Sequence, residues 1–247
     1  MPVKLYSSKV LSNRPVGPGV FLLKTIYEGA AAPGQFFMLR AWGTAEAPLL
    51  SRPISVHDCA DGILCFLYEV RGVGTAKLAA LRPGDKLSLT GPCGNGFPVS
   101  AVKGRVALVA GGIGLAPLLY TAKCLKNCTA DLYCGFRDEP YALDPFAGLV
   151  RTIEVATDTG RFGHKGFVTD LLDAAAYDCV ITCGPEVMME KTAKSAMRAG
   201  VPVYVSKEAK MACGIGACLG CSFETPMGRK SVCKDGPVFS GSEVYAL

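Results

Sequence analysis

The sequence predicts a multi-domain α+β chain in three units: an antiparallel β-barrel over residues 1–99, a doubly wound α/β unit over 100–205, and a small cysteine-anchored unit over 206–247. Three observations predict it. Up to residue 98, short apolar runs alternate with turn residues, the spacing of an antiparallel barrel. From residue 105, strand-like and helix-like runs alternate, which implies a parallel sheet. Finally, Cys213, Cys218 and Cys221 fall in C-x4-C-x2-C spacing, and Cys233 follows after eleven intervening residues.

Composition bounds the function. With 247 residues, 50% of them hydrophobic and 19% charged, the chain holds two ordinary domains plus an appendage, and extended disorder is excluded. Net charge is +5, from 26 basic and 21 acidic residues with no long basic run, which argues against nucleic acid. The N-terminus lacks the apolar core of a signal peptide, and no apolar run reaches the length of a membrane span. Cys59, Cys65, Cys93, Cys124, Cys128, Cys134, Cys179 and Cys183 sit mostly singly within apolar segments, where a reduced cysteine is a small hydrophobe. A reducing cytoplasm is the compartment this favours.

In the barrel, strands are expected at 20–26, 35–40, 49–57, 63–71 and 86–90, with one short helix over 75–81 closed by Pro83-Gly84-Asp85. Two places in it carry chemistry. Arg52-Pro53-Ile54-Ser55 puts a guanidinium fork beside a hydroxyl at a strand head, which suits a ligand anionic at one end and hydrogen-bonding at the other. Gly72-Val73-Gly74-Thr75 leads into the helix, with Thr75 as its expected N-cap and free N–H groups for a diphosphate. Each also has a plainer reading, an Arg-Pro turn and a glycine turn with an ordinary cap.

The second unit opens with a buried strand at 105–110, then Gly111-Gly112-Ile113-Gly114-Leu115-Ala116-Pro117 and a helix over 118–125. Strand, glycine turn and helix bring backbone N–H groups up to a diphosphate. Pro117 stands where the third glycine of the usual dinucleotide fingerprint would be. Strands at 130–136, 151–156, 179–183 and 201–205 and helices at 167–175 and 186–199 continue the alternation. Ligands belong at the carboxyl ends of such strands, where Gly112, Gly114, Cys183, Gly184 and Pro185 fall. Arg137, Asp138 and Glu139 follow the second strand; an acidic residue there suits a ribose and the arginine a 2′-phosphate, and the choice stays open. His57 and His164 are isolated and are expected at the surface or behind a site.

Cys213, Cys218, Cys221 and Cys233 have the spacing of a plant-type [2Fe–2S] site. Gly214, Gly216 and Gly220 are expected to take positive φ, turning backbone N–H groups toward sulfur. A four-cysteine zinc site is the alternative, although zinc prefers two separate C-x2-C knuckles. Lys207, Lys210, Met211, Ile215 and Leu219 flank or lie in this loop, and its apolar side chains are expected at an exposed tip.

Arg52–Ser55, the glycine–threonine helix start and a following nucleotide half, in that order, resemble the FAD-binding barrel of the ferredoxin reductase superfamily. That resemblance implies an arginine, here Arg52, on the FAD diphosphate and a serine, here Ser55, near flavin N5. Pro53, Ile54, Leu67, Tyr68, Glu69, Gly74 and Thr75 fall in the same cofactor-contacting segments. Two departures stand out. Ile54 replaces an aromatic residue common before the serine, and Glu69 stands where arginine is frequent. A carboxylate is a poor neighbour for a diphosphate, so Arg71 is the candidate to take that work. Gly91-Pro92 and Gly94-Asn95-Gly96-Phe97 close the barrel as they do in that superfamily, and Cys183-Gly184-Pro185 matches its nicotinamide-side turn.

Taken end to end, with Cys-Gly-Ile-Gly-Ala-Cys over 213–218 and Cys221 as the most specific string, the chain resembles the electron-transfer subunits of class 1B dihydroorotate dehydrogenases. The resemblance implies FAD, a [2Fe–2S] cluster and NAD as cofactors, in a relay linking hydride exchange at the flavin to single-electron transfer at the cluster. It also implies an FMN-containing catalytic partner that interconverts dihydroorotate and orotate, in a heterotetramer of two subunits of each kind, with no nucleic acid and no membrane. No residue of this chain is expected to perform the orotate chemistry. A reductase subunit serving a sulfur, sulfite or ferredoxin partner, and a zinc-stapled binding module, are the other readings.

Overall fold

A computed structural model describes residues 2–247. Six strands close the barrel: β1 (Lys4–Gly17), β2 (Val20–Ile26), β3 (Phe36–Arg40), β4 (Arg52–Ala60), β5 (Ile63–Glu69) and β6 (Lys86–Cys93), in the order β1-β2-β5-β4-β3-β6 with β6 back on β1. The long first strand makes closure possible. Its first half pairs with β6 and its second half with β2, and a register shift at Val10/Ser12 bends it between the two. Side chains alternate in and out, so Val10, Leu23, Phe37, Val56, Phe66 and Leu89 fill the interior.

A short helix, α1 (Val73–Ala79), plugs one end of the barrel with Leu78. It starts two residues earlier than the sequence suggests, and its cap is Gly72, not Thr75. Thr75 lies inside the first turn. There its hydroxyl accepts the N–H groups of Arg71 (2.9 Å) and Gly72 (3.1 Å) and donates to the Gly72 carbonyl, so its hydrogen-bonding capacity is used locally.

The second sheet contains β7 (Gly104–Gly111), β8 (Cys128–Phe136), β9 (Ile153–Thr157), β10 (His164–Lys165), β11 (Cys179–Cys183) and β12 (Val203–Ser206), all parallel. Their order, β10-β9-β8-β7-β11-β12, reverses direction between β7 and β11. Helix α2 (Ala116–Cys124) covers one face and α3 (Glu186–Arg198) the other, which is why β7 and β11 read as unbroken apolar runs. The helix expected over 167–175 is instead two short 3-10 turns, Val168–Asp170 and Ala174–Ala176. Asp170 and Asp173 explain the difference: their carboxylates accept the backbone N–H groups of Phe167 and Ala175 and compete with helical pairing.

The tail forms a hairpin, β13 (Ser222–Thr225) with β14 (Gly228–Ser231), then β15 (Val238–Ser240) and a last turn of helix, α4 (Gly241–Val244). β15 pairs antiparallel with β12, so the nucleotide sheet takes its seventh strand from the segment expected to stand apart. The cysteine loop is thereby anchored at both ends.

The barrel and the sheet meet along β4 and α2. His57 is buried there, 2% exposed, with Nδ1 2.7 Å from the Ala116 carbonyl; it is an interdomain contact and not a surface residue. Because its partner is a carbonyl, Nδ1 carries the proton, and burial lowers the pKa of the ring. Lys123 and Asp58 pair beside it at 2.6 Å. Among the described residues, no helix is long and apolar enough to cross a membrane.

Candidate functional site

The cysteine loop places Cys221 and Cys233 with sulfurs 3.2 Å apart and both side chains buried; Cys213 is half-buried and Cys218 exposed. Five backbone N–H groups face these sulfurs. Ile215 (3.5 Å) and Cys218 (3.4 Å) donate to Cys213, Gly216 (3.1 Å) to Cys233, Gly220 (3.5 Å) to Cys218, and Cys233 (3.4 Å) to Cys221. Burial opposes ionisation of Cys213, but the N–H groups of Ile215 and Cys218 outweigh it and bring the thiol down to about 6. Burial and the adjacent Cys221 push Cys233 up to about 12. Donors of this kind suit a group that leaves net negative charge on thiolates. Among the described residues, no three such side chains converge on a point suited to one ion.

Gly214 and Gly216 take positive φ as expected, but Gly220 does not. Leu219 does so instead, at φ 57°, and the following N–H then meets the Cys218 sulfur. Ile215 and Leu219 are 53% and 57% exposed, whereas Met211 and Lys207 turn inward. Lys207 pairs with Glu186 and lies over the rings of Phe223 and Tyr245, at 5.3 and 5.4 Å from their centroids.

A cleft of about 210 Å³ separates the barrel from the sheet. Arg52, Pro53, Ile54 and Ser55 line it from β4; Leu67, Tyr68 and Glu69 from β5; Ile113, Ala116, Pro117 and Cys183 from the nucleotide side. Arg52 donates to the carbonyls of Leu50 (2.8 Å) and Ser51 (3.3 Å). Its guanidinium also lies against Gly74, where a β carbon would come 2.4 Å from Nε. A fixed guanidinium over side-chain-free backbone fits one end of a dinucleotide cofactor, and the apolar wall of Ile54 and Leu67 fits a flat ring. Tyr68 points its ring into the barrel and donates to Asn13 at 3.1 Å, leaving its main chain to the cleft. Glu69 holds Arg71 through Nε (2.8 Å) and Nη2 (2.7 Å), so each neutralises the other.

At the carboxyl ends of β7 and β11 two turns pack main chain on main chain. A β carbon on Gly114 would lie 2.1 Å from the Cys183 carbonyl, and one on Gly184 2.8 Å from the Gly111 nitrogen. Gly112 takes φ 51°, Pro185 touches Gly111, and Pro117 enters the first turn of α2. This is the reversal point of the sheet, where a dinucleotide finds backbone donors. Cys183 is 2% exposed and burial raises its pKa, so it is a protonated packing group.

Phe36 carries no signature in the sequence, and Met211 stood out there only as an apolar neighbour of the cysteine loop, expected at an exposed tip. Both line the cleft, and both belong to the apolar cluster around Cys221 and Cys233. Glu208, also on the cleft wall, and Tyr141, near Gly112, were likewise missed. Only the fold brings them there.

The family model for the iron-sulfur cluster binding domain of dihydroorotate dehydrogenase B matches residues 208–245. The chain is 48% identical over 244 residues to a dihydroorotate dehydrogenase B (NAD(+)) electron transfer subunit of Clostridium acetobutylicum, covering 99% of this chain and 98% of that one. It is 43% identical to the subunit of the same name from Clostridium perfringens, covering 99% of each. Among solved structures, that of an NADH-dependent reduced ferredoxin-NADP oxidoreductase matches with a TM-score of 0.84 and 30% identity, over 96% of this chain and 89% of the other. A ferredoxin NADP+ reductase from Neisseria gonorrhoeae, with bound FAD and NADP, shares the fold at a TM-score of 0.64 and 17% identity, over 80% and 92%.

Proposed function

This chain belongs to the family of dihydroorotate dehydrogenase B electron transfer subunits, and on that footing we propose how its residues divide the work. It passes electrons between NAD(H), FAD, a [2Fe–2S] cluster and the FMN of a catalytic subunit that converts dihydroorotate to orotate. When bound, FAD supplies hydride exchange with nicotinamide and single-electron exchange with the cluster. Arg52, set against Gly74, would hold the FAD diphosphate, and Ser55, Ile54 and the main chain of Tyr68 would line the flavin end of the cleft. Gly112, Gly114, Gly184 and Pro185 shape the nicotinamide dinucleotide site beside Cys183. Cys213, Cys218, Cys221 and Cys233 would hold the cluster through their thiolates.

The observation that carries this reading is the shared wall. Phe36 and Met211 contact the cleft with one side and the cysteine core with the other, so a single side chain separates the cleft from the cysteine core. The exposed Ile215 and Leu219 form the docking tip for the FMN subunit, in a complex of two subunits of each kind. The reducing cytoplasm is the compartment, a reading supported by buried, unpaired thiols at Cys65, Cys134 and Cys179. A sulfur, sulfite or ferredoxin partner is not favoured, because the relatives matched end to end carry the dihydroorotate dehydrogenase name.

The test is anaerobic reduction of the purified subunit by NADH, followed in the visible spectrum and by electron paramagnetic resonance. Flavin and cluster signals should both change in the wild type. Cys221→Ser should keep flavin reduction and lose the native cluster signal, and Cys124→Ser should behave as wild type. Equal loss of the cluster in Cys124→Ser would sink the ligand assignment, and a flavin that NADH does not reduce would sink the relay.

A further inference from the structure

We propose that Tyr141 and Arg71, one from each side of the interdomain cleft, grip the diphosphate of the nicotinamide dinucleotide held on the 111–114 turn. This rests on the reading of that turn as the dinucleotide site, and it moves Arg71 from the FAD to the nicotinamide nucleotide.

Tyr141 lies in the segment between β8 and β9. Its ring meets Phe136 edge to face, with centroids 5.0 Å apart at 68°. On its other side is Gly17 at the end of β1, where a β carbon would come 2.8 Å from the Tyr141 Cβ. The side chain is thus wedged between the two units, and its hydroxyl is carried to 3.7 Å from where a Gly112 β carbon would stand. No described group forms a hydrogen bond with that hydroxyl. Burial and the nearby Glu69 push its pKa up to about 12, so it stays a neutral O–H donor at physiological pH.

Arg71 faces the same space from the barrel. Arg71 lines the cleft opposite Ile113 of the glycine turn, and Tyr141 packs on the cluster that contains Ile113 and Leu67; the Arg71 side chain is 68% exposed. The donors around this volume are therefore one guanidinium, one phenol and the backbone N–H groups of the glycine turn. A diphosphate matches that set, because it brings several anionic oxygens and no donors of its own. Glu208 lines the same cleft, and among the described residues Glu69 is the carboxylate that pairs directly with Arg71. Its hold must yield when the diphosphate arrives, so Glu69 weakens nucleotide affinity and favours release.

The experiment uses the full FAD-loaded chain, titrated calorimetrically with NAD+ and separately with ADP-ribose, which keeps the diphosphate and lacks nicotinamide. Tyr141→Phe should weaken both ligands by roughly 10-fold, the loss of one hydrogen bond to a charged group. Its FAD content and its kcat at saturating NADH should stay at wild-type levels while KM rises. Arg71→Gln should weaken both ligands at least as much, and Glu69→Gln should tighten them several-fold. The idea is overturned if Tyr141→Phe leaves both dissociation constants unchanged, or weakens NAD+ alone. It is equally overturned if Arg71→Gln sheds FAD and leaves NAD+ binding intact. If the wild type binds neither ligand, it is the dinucleotide site itself that fails.

Discussion

Gly214 in the cysteine loop lies flat against Met38 of the barrel strand β3, so close that a β carbon would sit 2.6 Å from the methionine Cγ. Its φ is 72°, a conformation that costs an L-residue roughly 1–2 kcal/mol. Gly214→Ala therefore adds strain and a clash where the loop packs on the barrel strand. We expect iron and sulfide per chain to fall well below wild type while bound FAD stays unchanged. Full cluster content in this variant would mean that the loop is not seated through Met38.

Arg52 meets the cleft with a guanidinium already positioned by the Leu50 and Ser51 carbonyls and by the bare backbone at Gly74. Removing a hydrogen-bonded charge from a diphosphate costs about 1.5–3 kcal/mol, or roughly 10- to 150-fold in affinity. Arg52→Ala should release FAD on dialysis, whereas Ser55→Ala should retain it and be reduced more slowly by NADH. Retention of FAD by the arginine variant at wild-type affinity would exclude the diphosphate role.

His57 makes the barrel–sheet contact sensitive to acid. Its folded pKa lies below the unfolded value of about 6.5, so between the two the unfolded chain binds more protons. Stability from the neutral ring is present above that unfolded pKa and is lost as pH falls below it, by at most ~1.4 kcal/mol per pH unit. His57→Gln should flatten the fall in melting temperature between pH 7.5 and 5.5. An unchanged slope in the variant would show that other groups cause the acid sensitivity.

Ile215 and Leu219 expose more than half their surface beside a redox site, which is costly unless another surface covers them. Ile215→Asp or Leu219→Asp should leave NADH-driven reduction of a small acceptor at the flavin intact. Electron delivery to the FMN subunit should collapse, together with co-purification of the complex. Parallel loss of both activities would point to a damaged fold.

The chain order of three units, the four cysteines and the Arg52–Ser55 strand were legible in the sequence because each is a local signal. A ligand spacing of four and two residues is fixed by covalent geometry, and a buried parallel strand such as 179–183 cannot avoid reading as continuously apolar. Local signals failed where a short polar side chain or a distant partner decided the outcome. Asp170 and Asp173 converted an expected helix into two turns, and Thr75 spent its hydroxyl inside the helix it was expected to cap. Leu219, not Gly220, adopted the left-handed conformation, which turns the next N–H toward Cys218. Burial of His57 and the approach of Tyr141 to Gly112 depend on how the barrel packs against the sheet. The wall of Phe36 and Met211 depends on β15 returning the tail to β12, a pairing between strands more than thirty residues apart. Such contacts are set by burial summed over the whole chain, and no short window of sequence contains that sum.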